Sequence, residues 1–128
     1  MASGIYKIDI DFKNSHELLM KFLMIYSVAN NVKDKENYLR KRHAEVLGYY
    51  ALKGYSSETK NLILESLPTL NREHLNQINS ELQKKKYLHK DKYNSNVRSV
   101  DQSIIVLSQY LKDTDSPILA VKFVKDNG

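Results

Sequence analysis

The sequence contains no cysteine and no tryptophan, and only 4 glycines and 2 prolines among 128 residues. The absence of cysteine excludes a disulfide scaffold, a thiolate metal site and a cysteine nucleophile. Few glycines and prolines, together with 41% hydrophobic residues, exclude a collagenous or largely disordered chain. A chain of this length buries most of its apolar surface in one core, so we expect a single domain over residues 1–128.

Long apolar segments are also absent. Lys21 interrupts the longest one, which stays far below the roughly 20 residues that a membrane span requires. Residues 1–4 carry no basic stretch ahead of an apolar segment, so we expect no signal peptide. These features predict a cytoplasmic or nucleoid-associated protein with no membrane partner.

Signatures of catalysis and of metal binding are missing as well. The sequence has no glycine-rich phosphate loop, no nucleophile elbow and no His-Glu-x-x-His motif. Asp9, Asp11 and Glu17 form the grouping most similar to a metal cluster, but acids that alternate along a strand are more often solvated charges. We therefore predict no enzyme, no metal site and no cofactor.

What the chain does have is basic charge, concentrated in one segment. The net charge is +5. Between Asn71 and Arg98 there are seven basic residues against three acidic ones, a surplus of four. Most of the excess charge thus lies in less than a quarter of the length, which indicates a localised anionic partner.

The N-terminal part predicts a strand followed by a helix. Apolar and polar residues alternate over residues 5–12, which is typical of a half-buried strand. Asn14 or Ser15 is then suited to cap a helix that ends at Asn30-Asn31. Because the apolar residues of this helix cover more than one stripe, we expect it to be buried on most sides.

Two helices are predicted next. The first covers about residues 35–52 and stops before Gly54, which is free to adopt a positive φ. Ser56 or Ser57 caps the second, which extends to Leu67 and is closed by a proline.

The fourth predicted helix begins after Asn71 and reaches about Lys86. Leu75, Ile78 and Leu82 recur at helical spacing and are expected to face the core.

A hairpin and two further elements complete the chain. Residues 87–100 read as two strands around an Asn-Ser-Asn turn at 94–96, and the hairpin has a basic tip. Asp101 starts a helix that ends near Lys112, and residues 118–124 predict a strand that pairs with the N-terminal one.

The predicted fold class is mainly α with a small β component (α+β). Residues 35–112 would form a helix-turn-helix core with a hairpin, residues 1–34 an extra strand and an apolar helix suited to dimerisation, and residues 113–128 a C-terminal strand and tail.

From Tyr38 to about Leu111 the order is helix, helix, tight turn, helix, basic hairpin, helix. Residues 69–91 resemble the recognition helix and the start of the wing in winged helix-turn-helix proteins of the MarR-like type. That family pattern has a small capping residue, three inward aliphatic residues, a basic pair and an aliphatic step into the wing. The matching residues here are Asn71, then Leu75, Ile78 and Leu82, then Lys84-Lys85, then Tyr87-Leu88. The resemblance implies a winged helix-turn-helix fold that binds palindromic DNA as a homodimer.

One position departs from that pattern, because this chain has Lys86 where the family usually has glycine. A lysine there must either adopt a strained backbone conformation or end the helix differently.

The outer face of the fourth predicted helix is chemically suited to reading bases. Arginine pairs with guanine, asparagine and glutamine pair with adenine, and serine contacts several base edges. The predicted base-reading residues are Arg72, Asn76, Gln77 and Ser80. The predicted contacts with the DNA backbone, including the wing, are Lys84, Lys85, Lys86, Lys90, Lys92, Asn94, Asn96 and Arg98. Glu73 on the same face opposes phosphate binding and is better explained by the helix dipole.

Two functions remain open at this point. The first is a small transcriptional regulator that reads duplex DNA with helix 71–86 and with a basic wing at 87–100. The second is a winged-helix interaction or assembly module, of a phage or mobile-element kind, that binds polymerase, replication machinery or a virion component. The fold alone does not separate them, because function depends on the surface.

Overall fold

The computed structural model describes residues 11–94 and 97–114. These residues form five α-helices, a 3₁₀ turn and a two-stranded antiparallel sheet, which confirms the predicted α+β class. The strand predicted at 118–124 lies outside the described residues, as does most of the one predicted at 5–12. The two described residues of the latter are not in a strand.

The bounds of the elements, in chain order, are α1 Ser15–Asn30, the 3₁₀ turn Lys35–Asn37, α2 Lys41–Lys53, α3 Ser57–Ser66, α4 Arg72–Lys84, β1 Leu88–Lys90, β2 Arg98–Val100 and α5 Gln102–Asp113.

Side-chain caps set the start of four helices, and three of these caps share one geometry. The side-chain oxygens of Asn14, Ser56 and Asn71 accept hydrogen bonds from the backbone N–H three residues later, at 2.8, 3.1 and 2.7 Å. Each oxygen satisfies one of the N–H groups that a first helical turn leaves unpaired. The predicted starts of α1, α3 and α4 are therefore confirmed. Gly54 ends α2 with a φ of +90°, as its freedom from a Cβ atom allows.

The predicted start of the second helix is wrong. The sequence predicts a helix over 35–52, whereas α2 begins at Lys41 and residues 38–40 are not helical. The Leu39 N–H donates to the buried Ser27 hydroxyl at 3.0 Å, which ties this segment to α1. Leu39 is buried like a helical core residue, but its burial comes from this tertiary contact.

The core forms around α2. Helices α1 and α5 pack against it and against each other, while α3 and α4 also contact it and β1 packs on α4. The buried apolar side chains of this core are Leu19, Leu23, Leu39, Ala44, Val46, Leu47, Tyr50, Ile63, Leu70, Leu75, Ile78, Leu82, Tyr87, Leu88 and Ile104.

Helix α1 is buried or half-buried at most of its positions, as predicted. Ile25 and Val28 are the apolar exceptions and lie on its outer side with 37% and 43% of their surface exposed. None of the described helices is long and apolar enough to cross a membrane.

Candidate nucleic-acid interface

Helix α4 has an inner face that fixes its position. Leu75, Ile78 and Leu82 are buried, as the spacing predicts. Asn79 is buried among them, and its side-chain oxygen accepts a hydrogen bond from the Tyr50 hydroxyl at 2.8 Å. Burial raises the pKa of Tyr50 well above its usual range, so the hydroxyl stays protonated and donates. The sequence analysis missed Asn79, although its spacing of four from Leu75 places it on the core stripe.

The outer face of α4 presents the predicted base-reading residues, all of them exposed: Arg72, Asn76, Gln77 and Ser80. At about 100° per residue, Asn76, Gln77, Ser80 and Lys84 fall within roughly 100° of arc, opposite the buried stripe. The side chains of Asn76 and Ser80 have no hydrogen-bond partner within the described ranges. Arg72 lies at the edge of this face, where it donates to Asn61 of α3 at 3.1 Å.

The C-terminal end of α4 is a Schellman turn. The helix ends at Lys84, two residues before the predicted end, and Lys86 has a φ of +70°. The Lys86 N–H donates to Gln83 O at 3.0 Å, and the Tyr87 N–H donates to Leu82 O at 2.9 Å. Both hydrogen bonds require the left-handed residue, so of the two alternatives left open for this lysine the structure shows the strained backbone.

The lysines predicted to contact the DNA backbone differ in solvent exposure and in hydrogen bonding. Lys84 and Lys86 are exposed, whereas Lys85 is half-buried and its ammonium donates to the backbone carbonyl of Glu36. The predicted contact residues of the hairpin that lie exposed are Lys90, Lys92 and Asn94. Asn96 lies outside the described residues.

Arg98 holds the hairpin against α4. Its Nε donates to Gln83 Oε1 at 2.6 Å, and a terminal guanidinium nitrogen donates to the Tyr55 hydroxyl at 2.9 Å. The side chain is half-buried. Arg98 was predicted to contact the DNA backbone, and the structure gives it these two intramolecular partners. It fixes the angle between hairpin and helix.

The tip of the hairpin presents an aromatic side chain that the sequence analysis did not single out. Leu88 pairs with Val100 and Lys90 with Arg98. The Asp91 carboxylate accepts from the backbone N–H groups of Tyr93 and Asn94 at 3.0 and 2.8 Å, so it orders the start of the turn. Tyr93 is 89% exposed. An aromatic residue between a lysine and the Asn-Ser-Asn turn was the available signal.

One flank of α4 carries a carboxylate that is hydrogen-bonded to a histidine of α2. Glu81 lies within hydrogen-bond distance of His43 on α2. This hydrogen bond from His43 lowers the pKa of Glu81, so its carboxylate is ionised at neutral pH. Glu73 is exposed in the first turn, where a carboxylate interacts favourably with the positive end of the helix dipole.

The described residues contain no group of three or more His, Cys, Asp or Glu side chains placed to hold a metal ion. Comparison of the chain with protein families, with curated proteins and with solved structures finds no match.

Proposed function

We propose that this protein is a small winged helix-turn-helix regulator that binds duplex DNA, with α4 in the major groove and residues 87–100 as the wing. The observation that carries the proposal is the division of α4 into two faces. Four core residues anchor it, and its opposite side exposes a continuous set of amide, hydroxyl and ammonium groups. The major groove admits one α-helix, and such side chains read its base edges.

The chemistry of the exposed face supports base reading by particular residues. Asn76 and Gln77 are suited to bidentate pairing with adenine, and Ser80 to hydrogen bonding with several base edges. Arg72 can reach a guanine only by giving up its hydrogen bond to Asn61. We therefore assign it a lesser part in base reading.

The hairpin supplies sequence-independent contacts. Lys90 and Lys92 are exposed and are suited to meet phosphates, which add affinity without reading sequence. Tyr93 at the tip can stack on a sugar or a base edge in the minor groove. Arg98 keeps the hairpin beside α4, so both elements can reach the same duplex.

We propose that the protein binds DNA as a homodimer. Ile25 and Val28 are exposed three residues apart near the end of α1, and Val32 is exposed in the turn that follows the helix. Val106 and Tyr110 are exposed one helical turn apart on α5, which packs against α1. Apolar surface of this kind marks protein contacts, and a two-fold dimer would place two α4 helices on a palindrome. Sedimentation of Val28→Glu, which would remain monomeric where the wild type dimerises, tests this part.

Selection from a randomised duplex library at two salt concentrations tests the proposal. The wild type is expected to enrich a palindrome, with affinity that falls steeply as salt rises. A triple variant, Asn76→Ala, Gln77→Ala and Ser80→Ala, is expected to lose the sequence preference. Alanine is the best helix former, so the changes should not unfold α4. The matched control replaces the exposed glutamines of α5, Gln102→Ala and Gln109→Ala.

Two results would contradict the proposal. One is a wild type that enriches no sequence and binds duplexes only weakly at low salt. The other is a triple variant that enriches the same motif as the wild type. The exposed apolar residues near the end of α1 would then favour the second function, an interaction module that binds another protein, and capture of partners would follow.

A further inference from the structure

A basic cavity of about 540 Å³ opens beside α4. It is formed by the 3₁₀ turn and the start of α2, which are neighbours in sequence, and by the end of α4, which is about 40 residues away. Its cationic lining residues are Lys35, Arg40, Lys84 and Lys85, and its carboxylates are Glu36 and Glu81. The cations therefore exceed the carboxylates by two.

The cavity and the hairpin lie on opposite flanks of the exposed face of α4. Glu81 lines the cavity, whereas Gln83 binds Arg98 of the hairpin. These two positions of α4 are about 160° apart around the helix axis, because each residue turns the helix by about 100°. A duplex held against the exposed face would therefore have hairpin on one side and cavity on the other.

The charges in the cavity are available to a ligand. In the described part of the chain, the side chains of Lys35, Arg40 and Lys84 have no hydrogen-bond or ion-pair partner. Glu81 is hydrogen-bonded to His43, so its charge is already partnered when that histidine is protonated. No side chain within the described ranges caps α2 at Arg40, so the positive end of this helix dipole adds to the same side.

We propose that this cavity binds a phosphate group of the duplex that α4 reads, with Lys35 and Arg40 as its principal ligands and Lys84 as the link to α4. The inference rests on the proposed function and extends it to a second flank. The protein would then hold the backbone on both sides of the major groove, with the hairpin at one edge and this cavity at the other.

The salt dependence of binding tests the inference. The double variant Lys35→Ala, Arg40→Ala is compared with the wild type on the selected duplex and on an unrelated one. Each lost phosphate contact reduces the slope of log affinity against log salt by about 0.9. Because each cavity would bind one phosphate, a dimer loses two contacts, and the ratio of wild-type to variant affinity should be about 12-fold larger at 50 mM than at 200 mM salt. The control, Lys53→Ala with Lys112→Ala, removes two exposed lysines outside the cavity, α4 and the hairpin.

A second variant, which is expected to bind DNA more tightly, separates the loss of a contact from a folding defect, because a misfolded protein would not gain affinity. Glu36→Gln removes a carboxylate from the cavity, and we expect roughly two- to three-fold tighter binding at low salt for a separation on the order of 7 Å. An unchanged salt slope for the double variant overturns the inference, and so does a loss equal to that of the control. If the wild type binds DNA, these results leave the proposed function intact. A wild type that binds no duplex DNA would contradict both the inference and the proposed function.

Discussion

Lys86 is the position where the chain departs from the chemistry that its turn favours. Among the described residues it is the only non-glycine residue with a positive φ, at +70°. Replacing it, Lys86→Gly, is expected to stabilise the fold. The turn keeps both of its hydrogen bonds, since these use backbone atoms alone.

The magnitude follows from two opposing contributions. A left-handed conformation costs a residue with a Cβ atom about 1–2 kcal/mol, and glycine avoids this cost. Glycine in turn loses about 0.5–1 kcal/mol more conformational free energy on folding. The free energy of unfolding should therefore rise by roughly 0.5–1 kcal/mol.

Urea unfolding followed by circular dichroism measures this change. With a slope of about 2 kcal/mol per molar urea, the midpoint should rise by about 0.25–0.5 M while the slope stays the same. The melting temperature should rise by about 2–4 °C. Two control variants are expected not to raise the free energy of unfolding. Lys86→Ala removes the charge but keeps the Cβ atom and should give no gain, whereas Lys84→Gly lies within α4 and should lose about 0.5–1 kcal/mol.

A variant Lys86→Gly that is no more stable than the wild type would refute the reasoning. Equal gains for Lys86→Gly and Lys86→Ala would also refute it, because the benefit would then come from the lost charge. The same glycine variant should bind DNA more weakly, since the proposed phosphate contact is gone.

Three further changes probe the core, the hydrogen bond between His43 and Glu81, and the hairpin. Tyr50→Phe leaves the buried Asn79 oxygen without its donor, so the free energy of unfolding should fall by about 1–3 kcal/mol, and an unchanged urea midpoint would contradict this. The hydrogen bond from His43 lowers the pKa of Glu81, so the pair stabilises the fold above the ordinary glutamate value of 4.5 and this contribution is lost as the pH falls through the lowered pKa. Glu81→Gln should flatten the decline in melting temperature below about pH 5, and parallel curves would refute the assignment. Arg98→Lys breaks the guanidinium fork, so hairpin amides should exchange hydrogen faster, and equal protection would show that the fork is dispensable.

Local chemistry made much of this fold predictable. The caps at Asn14, Ser56 and Asn71 satisfy N–H groups within three residues, so the sequence nearby contains the whole interaction. The inward residues of α4 follow the same logic, because helical spacing alone brings them onto one face. A strained backbone at Lys86 was one of the two alternatives that the departure from the family's glycine raised.

What escaped prediction depends on contacts between distant residues. The segment before α2 is held by a hydrogen bond from the Leu39 N–H to Ser27 on another helix. The periodicity of apolar residues does not predict such a hydrogen bond. The anchoring of Arg98 involves Tyr55, which lies 43 residues away. The basic cavity joins Lys35 and Arg40 to the end of α4, whereas the sequence predicts both residues only as part of the second helix.

The hydrogen bond between Tyr50 and Asn79 has a consequence for what α4 displays. Apolar contacts are non-directional and allow a helix to roll slightly about its axis, whereas a hydrogen bond weakens steeply once its angle is lost. This bond therefore fixes the rotational phase of α4. Since residues four apart in sequence lie about 40° apart around the axis, a roll of that size would already exchange central side chains for flanking ones on the exposed face. The choice of groups that a ligand meets is thus made by a tyrosine in the core, and substitutions there would change recognition without touching the surface.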